Sequence, residues 1–388
     1  MPLPQCVSDP LPVRERVLAI YALHSTALPL ARRLARSLEA HPWNLPHTDF
    51  SLLASELRQC RLFVPARFCP EDAHAFDSLK AVLSRTYFRF SAHAFLGAAG
   101  IAVRCLAPFL THKSNDAPVL VLDTAGRHVI SLLSGHWGGG NDLARHVARL
   151  LDATPVITTA SDVGKQPALD IELRNAGLRL LDWNLLPRVQ GLLLDGKRVD
   201  LWDPCGAVPD HPLLHRLPVR EEMPPAQKKE GTPLPMVAAH WKRLPSQTNV
   251  LRVAVPCLFL GVGCRRQVSA VQLEEAFQSV FQQYDLEPLS LVGLATVDAK
   301  LQEPGLRELA EQLRQPLYAF TPEDLADCYV PHPSEAAGRR FGLPPFSVCE
   351  AAAMLAAGKD GSGRLLVPKM AIRGKITMAV AMSMRRNA

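Results

Sequence analysis

The sequence predicts an α/β protein of two units with mainly parallel sheets, joined by a smaller middle region. Three observations carry this. β-Branched apolar runs alternate with stretches of i, i+3, i+4 apolar spacing, the pattern of strands crossing over through helices. Glycine-rich turns stand between a strand and a helix in both halves of the chain. A stretch rich in proline and charge, residues 204–246, separates those halves, and PVREEMPPAQKKEGTPLP is its clearest linker segment.

Taken in order, residues 1–13 carry four prolines and read as a loose arm. The N-terminal α/β domain is expected over 14–175. RVLAIYAL is its first strand, 29–40 an arginine-bearing helix and RLFVP a second strand. Residues 75–85 suit a helix. An apolar, small-residue stretch follows over 88–110, within which GAAGIAVRCLAPFL suits a helix packed closely on a sheet. APVLVLD and HVISLL are two strands joined by a turn at Ala125-Gly126, and residues 154–162 are a further strand running into a polar turn. The middle region, 176–247, offers a helix at 184–194 and the strand KRVDLWD. The C-terminal domain is expected over 248–388. LRVAVPCLFLGVGC is strand material, and Ser269 caps a helix at 270–283. SLVGLATVDAK is a strand, Pro304 marks a helix start, and PLYAFTP is a short strand. Short helices open at Pro322 and run over 346–358, and GRLLVPKM and KITMAVAM form a terminal strand pair.

Composition narrows the class. At 388 residues, 48% hydrophobic and 21% charged, the chain has the composition of an ordinary globular protein, and no apolar run reaches the roughly 18 residues of a membrane helix. The opening segment lacks a small-residue cleavage site, so the protein is expected to be cytoplasmic. A net charge of +6 without a dense Lys/Arg block predicts no nucleic-acid partner and suits an anionic small molecule. Nine scattered cysteines without a CxxC pair read as reduced thiols. The histidines of HPLLH, His211 and His215, have i, i+4 spacing, but Pro212 and the surrounding linker argue against a zinc helix.

The stretch VISLLSGHWGGGND organises the rest. It reads as a strand, a glycine loop and a helix N-terminus, a geometry that binds anions through backbone amides. It matches neither the P-loop nor the GxGxxG fingerprint, so a carboxylate suits it better than a nucleotide phosphate. His136 can serve as base or acid from this loop, or it can simply cap backbone. Ser134, Gly135, Gly138, Gly139, Gly140 and Asn141 can offer donors to a ligand, or make only a tight turn. Thr158, Thr159 and Asp162 end the next strand, where they can bind a carboxylate, assist a water or cap a helix. Arg104 can pair with a substrate carboxylate or be a solvated helix edge. In the second half, Gly261, Gly263 and Arg265 suit an anion site. Lys300 and Glu303 are an acid–base pair or an exposed ion pair, and Ser347, Glu350 and Lys369 are weaker candidates. Cys264, beside two arginines, reads as structural.

SLLSGHWGGGNDLARHVARLLDATPVITTASDV closely resembles the signature of the cobalt-precorrin-5A hydrolase family of anaerobic cobalamin (vitamin B12) biosynthesis. GAAGIAVRCLAPFL, GRHVISLL and LLDGKRVDLWDPCG resemble its N-terminal and middle parts. FLGVGCRRQVSAVQLEEA, ATVDAKLQEPGL, SVCEAAAML and LLVPKM resemble its C-terminal domain, which also occurs as a free-standing protein. The resemblance covers roughly residues 60–382 in order. It departs at Gly140-Asn141-Asp142, where Ala-Asn-Glu is common, at Trp137, and at SVCEAAA in place of SVAEAAA. It implies hydrolysis of a ring A δ-lactone of cobalt-precorrin-5A, with release of the meso carbon and its methyl group as acetaldehyde. Water is then the co-substrate, no cofactor is needed, and cobalt arrives with the substrate. The expected partners are that corrinoid and water, with no nucleic acid and no membrane; a homodimer stays open. His136, Asp162, Lys300 and Glu303 are the candidate catalytic residues, at a cleft between the two α/β units. The alternative is a non-catalytic corrinoid carrier of the same pathway.

Overall fold

The computed structural model describes residues 14–44, 56–111, 116–135, 137–158, 168–220, 222–225, 228–229, 232–358 and 363–383. The chain divides into two compact units, one reaching Glu172 and the other beginning at Leu173. The fold is α/β with mainly parallel sheets, as the alternating pattern predicts.

The first unit is a seven-stranded sheet. Its strands are β1 (Glu15–Ala22), β2 (Gln59–Pro65), β3 (His74–Phe76), β4 (Phe90–Leu96), β5 (Val119–Leu122), β6 (His128–Leu133) and β7 (Thr154–Val156), in the spatial order β3-β2-β1-β4-β5-β6-β7. All neighbours are parallel except β5 and β6, a hairpin about the Ala125-Gly126 turn. Helices α1 (Leu28–Ala40), α2 (Leu79–Thr86), α3 (Ala99–Leu106) and α4 (Gly140–Leu151) accompany it. One core joins α1 and α4 to one face of the sheet, and a second, aromatic core joins α2 and α3 to the other. Two expectations need correction. Residues 74–76 form an edge strand, and the helix begins only at Leu79 behind its Ser78 cap. The stretch from Phe88 hides a central strand, β4, because His93 and Ser91 interrupt its apolar pattern. His93 is fully buried: its Nε2–H donates to the Tyr87 carbonyl at 3.2 Å, and its Nδ1 lies 3.2 Å from the Tyr21 hydroxyl.

The second unit carries two five-stranded sheets. The middle sheet uses β8 (Arg179–Leu180), β9 (Val199–Trp202), β10 (Leu214–Arg216), β11 (Met236–His240) and β12 (Val250–Ala254), in the order β8-β12-β11-β9-β10. Helices α5 (Leu169–Asn175), at the division between the units, and α6 (Leu186–Leu194) precede its strands. Residues read as linker thus include a fully buried strand, β11, between β9 and β12. LRVAVPCLFLGVGC likewise splits: β12 belongs to the middle sheet, and the C-terminal sheet starts after Pro256. Arg252 of β12 locks the sheet to the chain before α6 through a bidentate pair with Asp182, at 2.7 and 2.8 Å.

The C-terminal sheet has β13 (Leu258–Cys264), β14 (Leu291–Val297), β15 (Leu317–Phe320), β16 (Arg364–Ile372) and β17 (Ile376–Met382), ordered β15-β14-β13-β17-β16. β13, β14 and β15 are parallel, and the β16–β17 hairpin adds two antiparallel strands. Its helices are α7 (Ala270–Gln283), α8 (Pro304–Gln312), α9 (Pro322–Asp327), α10 (Glu335–Phe341) and α11 (Val348–Ala357). Ser269 and Gln272 form the capping box that starts α7. Among the described residues no helix is long and apolar enough to cross a membrane.

Candidate functional site

In open α/β sheets ligands bind beyond the carboxyl ends of parallel strands. The C-terminal sheet has a pocket there of about 320 Å³. Gly263 and Cys264 at the end of β13 line it, with Val297, Ala299 and Lys300 after β14, Ser347 and Val348 at the start of α11, and the tip of the β16–β17 hairpin. Among the described lining residues five are cationic (Arg265, Lys300, Arg340, Lys369 and Lys375) and none is acidic. Among the described residues, no carboxylate side chain pairs with Arg265, Arg340, Lys369 or Lys375. The N-terminal end of α11 adds its positive dipole end through Ser347 and Val348. Such a wall holds carboxylates.

Lys300 is 4% exposed, and its Nζ lies 2.9 Å from Glu303 Oε2. The other Glu303 oxygen accepts the Gln267 amide at 2.6 Å. The Lys300 hydrogen bond, seconded by the Gln267 amide, holds the Glu303 carboxyl below its usual range. The ion pair is largely shielded from solvent, with side-chain exposures of 5% and 12%, and the reading of it as an exposed ion pair is corrected. Burial pushes the neighbouring Cys264 thiol up, against the opposing influence of Lys300, as a structural cysteine requires.

Glu350, third residue of α11, is fully buried, and its carboxylate is satisfied by three donors. Oε2 accepts the His332 amide at 3.2 Å. Oε1 accepts His332 Nδ1–H and the Lys369 amide, each at 2.9 Å. The strand is irregular between Val367 and Met370, which frees the Lys369 amide from the ladder. His332 escaped the sequence reading; its signal is an imidazole clamped between Pro331 and Pro333, just ahead of the α10 helix.

The glycines do other work. A methyl at Gly261 would lie 1.8 Å from the Cys349 carbonyl oxygen, so this glycine lets α11 press against β13 and does not line the pocket. Gly263 does line it, and its bare Cα leaves room for the Thr377 hydroxyl.

In the first unit, the loop between β6 and α4 closes on itself. The Gly140 amide donates to the Ser134 carbonyl at 3.0 Å, and the Asn141 amide to the Gly135 carbonyl at 2.9 Å. The expectation that these two amides are open to an anion is corrected: both are spent in the turn. Ser134 sits at φ 52° and donates its hydroxyl to the Asp116 carbonyl at 2.6 Å. Added methyls at Gly135 and Gly138 would meet the Asn141 and Ser134 side chains, and Gly139 takes φ 77° before the helix. Arg104 is exposed and folds back on the Gly100 carbonyl of its own helix, the solvated-edge reading. Thr158 is exposed; His136, Thr159 and Asp162 lie outside the described residues. His211 and His215 are not on a helix. One accepts the Leu213 amide and the other bonds Asp200.

The chain matches the family described as "Cobalamin synthesis G N-terminal" over residues 81–162 and "Cobalamin synthesis G C-terminus" over 258–381. It is 34% identical to the cobalt-precorrin-5A hydrolase of Salmonella typhimurium, over 81% of this chain and 85% of that one. It is 30% identical to that of Priestia megaterium, over 73% and 76%. The crystal structure of CobE, a protein from the cobalamin (vitamin B12) biosynthetic pathway, aligns with 32% of this chain and 92% of its own at 33% identity and a TM-score of 0.30. Matched at both ends and across most of its length, the chain belongs to the cobalt-precorrin-5A hydrolase family.

Proposed function

We propose that this protein hydrolyses cobalt-precorrin-5A to cobalt-precorrin-5B, opening the ring A δ-lactone and releasing the two-carbon meso fragment as acetaldehyde. The observation that carries the reading is the cationic pocket at the end of the C-terminal sheet, in a chain of this family. A corrin precursor bears acetate and propionate groups around its rim. Arg265, Arg340, Lys369 and Lys375 would hold some of them by charge-assisted hydrogen bonds.

The chemistry needs a base to activate water, a donor for the developing oxyanion and an acid for the departing fragment. Lys300, held 2.9 Å from Glu303, supplies a positive charge for the oxyanion. His136 and Asp162 are the sequence's candidates for proton transfer in the first unit. Once the lactone opens, the freed hydroxyl gives up its proton and becomes the carbonyl of acetaldehyde. The carbon–carbon bond breaks, and its electron pair passes into the macrocycle. The reaction consumes one water, needs no nucleotide or flavin, and uses cobalt only as part of the substrate.

The test is anaerobic incubation of the purified protein with cobalt-precorrin-5A, following acetaldehyde with a coupled dehydrogenase and the corrinoid by mass. Acetaldehyde release at the rate of two-carbon loss is expected. Tight binding without acetaldehyde would replace this reading with that of a carrier.

A further inference from the structure

We infer that His332 is an acid–base residue of this reaction and that Glu350 is the positioning residue that aims it. The inference rests on the hydrolase reading above and adds to it a group from the C-terminal domain. Glu350 is 0% exposed, whereas the His332 side chain is 58% exposed, so the pair runs from the core to the surface. With Glu350 Oε1 as the acceptor, Nδ1 is the donor and Nε2 is the ring nitrogen left for a ligand. No protein group among the described residues engages Nε2.

His332 stands beside the pocket and is tied to residues that line it. Glu350 Oε1 holds His332 Nδ1 and the Lys369 amide together, and Lys369 lines the wall. Ser334, two residues on, also lines it, and its amide is tied to the Phe346 carbonyl at 2.9 Å. Prolines on both sides restrict the backbone of His332. The charged and titratable groups recorded around this node are Glu350, Lys369 and Cys349. A buried carboxylate with three donors, presenting one imidazole from a stiffened loop, is more than packing demands; an apolar residue would fill the same space without a desolvation cost.

In the step assigned, Nε2 takes a proton from water as the water oxygen bonds to the lactone carbonyl carbon and the carbonyl pair moves onto oxygen. When that intermediate collapses, the acyl–oxygen bond breaks. The imidazolium then returns the proton to the departing oxygen.

The test uses His332→Gln in the full chain, a change at an exposed side chain that leaves Glu350 an amide partner. Substrate affinity, acetaldehyde turnover and the pH profile of kcat/KM are compared with wild type. The expected result is affinity within about twofold, a fall in kcat of about 10²- to 10⁴-fold, and loss of one limb of the pH profile. Glu350→Gln should move that limb while retaining part of the rate, a readout that a merely structural carboxylate would not change. Unchanged turnover and pH profile in His332→Gln overturn the inference alone, as does an equal loss in affinity and rate. A wild-type protein that binds substrate and releases no acetaldehyde overturns the hydrolase reading and this inference with it.

Discussion

Two glycine-bearing strand ends, one in each unit, look alike in sequence and differ in use. At the end of β6 the described loop is closed: the Gly140 and Asn141 amides serve the Ser134 and Gly135 carbonyls. At the end of β13 the glycines bring α11 and Thr377 close, and the surface that results is walled by side-chain cations. Glycine there signals close approach of protein to protein, and the ligand chemistry is left to Arg and Lys. A Gly-rich turn before a helix is thus weak evidence for an anion held by amides until the partners of those amides are known.

The sharpest break between the two regions comes from adding one methyl. Gly261→Ala drives Cβ to 1.8 Å from a backbone oxygen, so α11 must move. A loss of about 3 kcal/mol or more in denaturant unfolding is expected. Gly135→Ala meets the Asn141 side chain at 2.6 Å, which can turn aside, and the loss should be smaller.

Next in size is the buried couple. Lys300→Met leaves Glu303 without its cation and should cost about 3 kcal/mol, and adding Glu303→Gln should restore much of the stability without restoring turnover. Restored turnover would remove Lys300 from the chemistry.

Acid separates the regions differently. Burial, with Arg14 as a lesser cause, pushes His93 in the core of the first unit down to about 3. An imidazole whose folded value lies below its ordinary 6.5 supports the fold fully above that pH. Its contribution is lost as pH falls from there toward 3. Unfolding monitored against pH should show His93→Gln to be less acid-sensitive than wild type over that range.

Smaller effects belong to the exposed cations. Arg265→Ala and Arg340→Ala should each weaken substrate binding by about fivefold at low salt, and less as ionic strength rises. Arg104→Ala, at an exposed arginine bonded to its own helix, should leave binding and stability within about 0.5 kcal/mol of wild type.

Much of the fold was legible because periodicity is local. HVISLL, the Ser269 cap and the Pro304 helix start emerge where the pattern places them. β4 was hidden by a buried histidine whose partners, Tyr21 and Tyr87, come from other elements. β11 was hidden inside proline-rich sequence, because its burial depends on β9 and β12 to either side. The pocket shows the same division. Gly263, Arg265, Lys300 and Ser347 were candidates and meet in one wall, whereas Arg340 and Lys375 had no local signal to mark them. Lys369 gains its place from Glu350, a pairing across 19 residues that spacing does not reveal.

The most direct measurement is equilibrium binding of cobalt-precorrin-5A to wild type and to Lys369→Ala, under anaerobic conditions, by the change in corrinoid absorbance. If the C-terminal pocket holds the substrate's carboxylates, losing this half-buried ammonium weakens binding by about 10- to 100-fold, while the fold is retained. Equal affinity in the two proteins would contradict the account and place the substrate elsewhere.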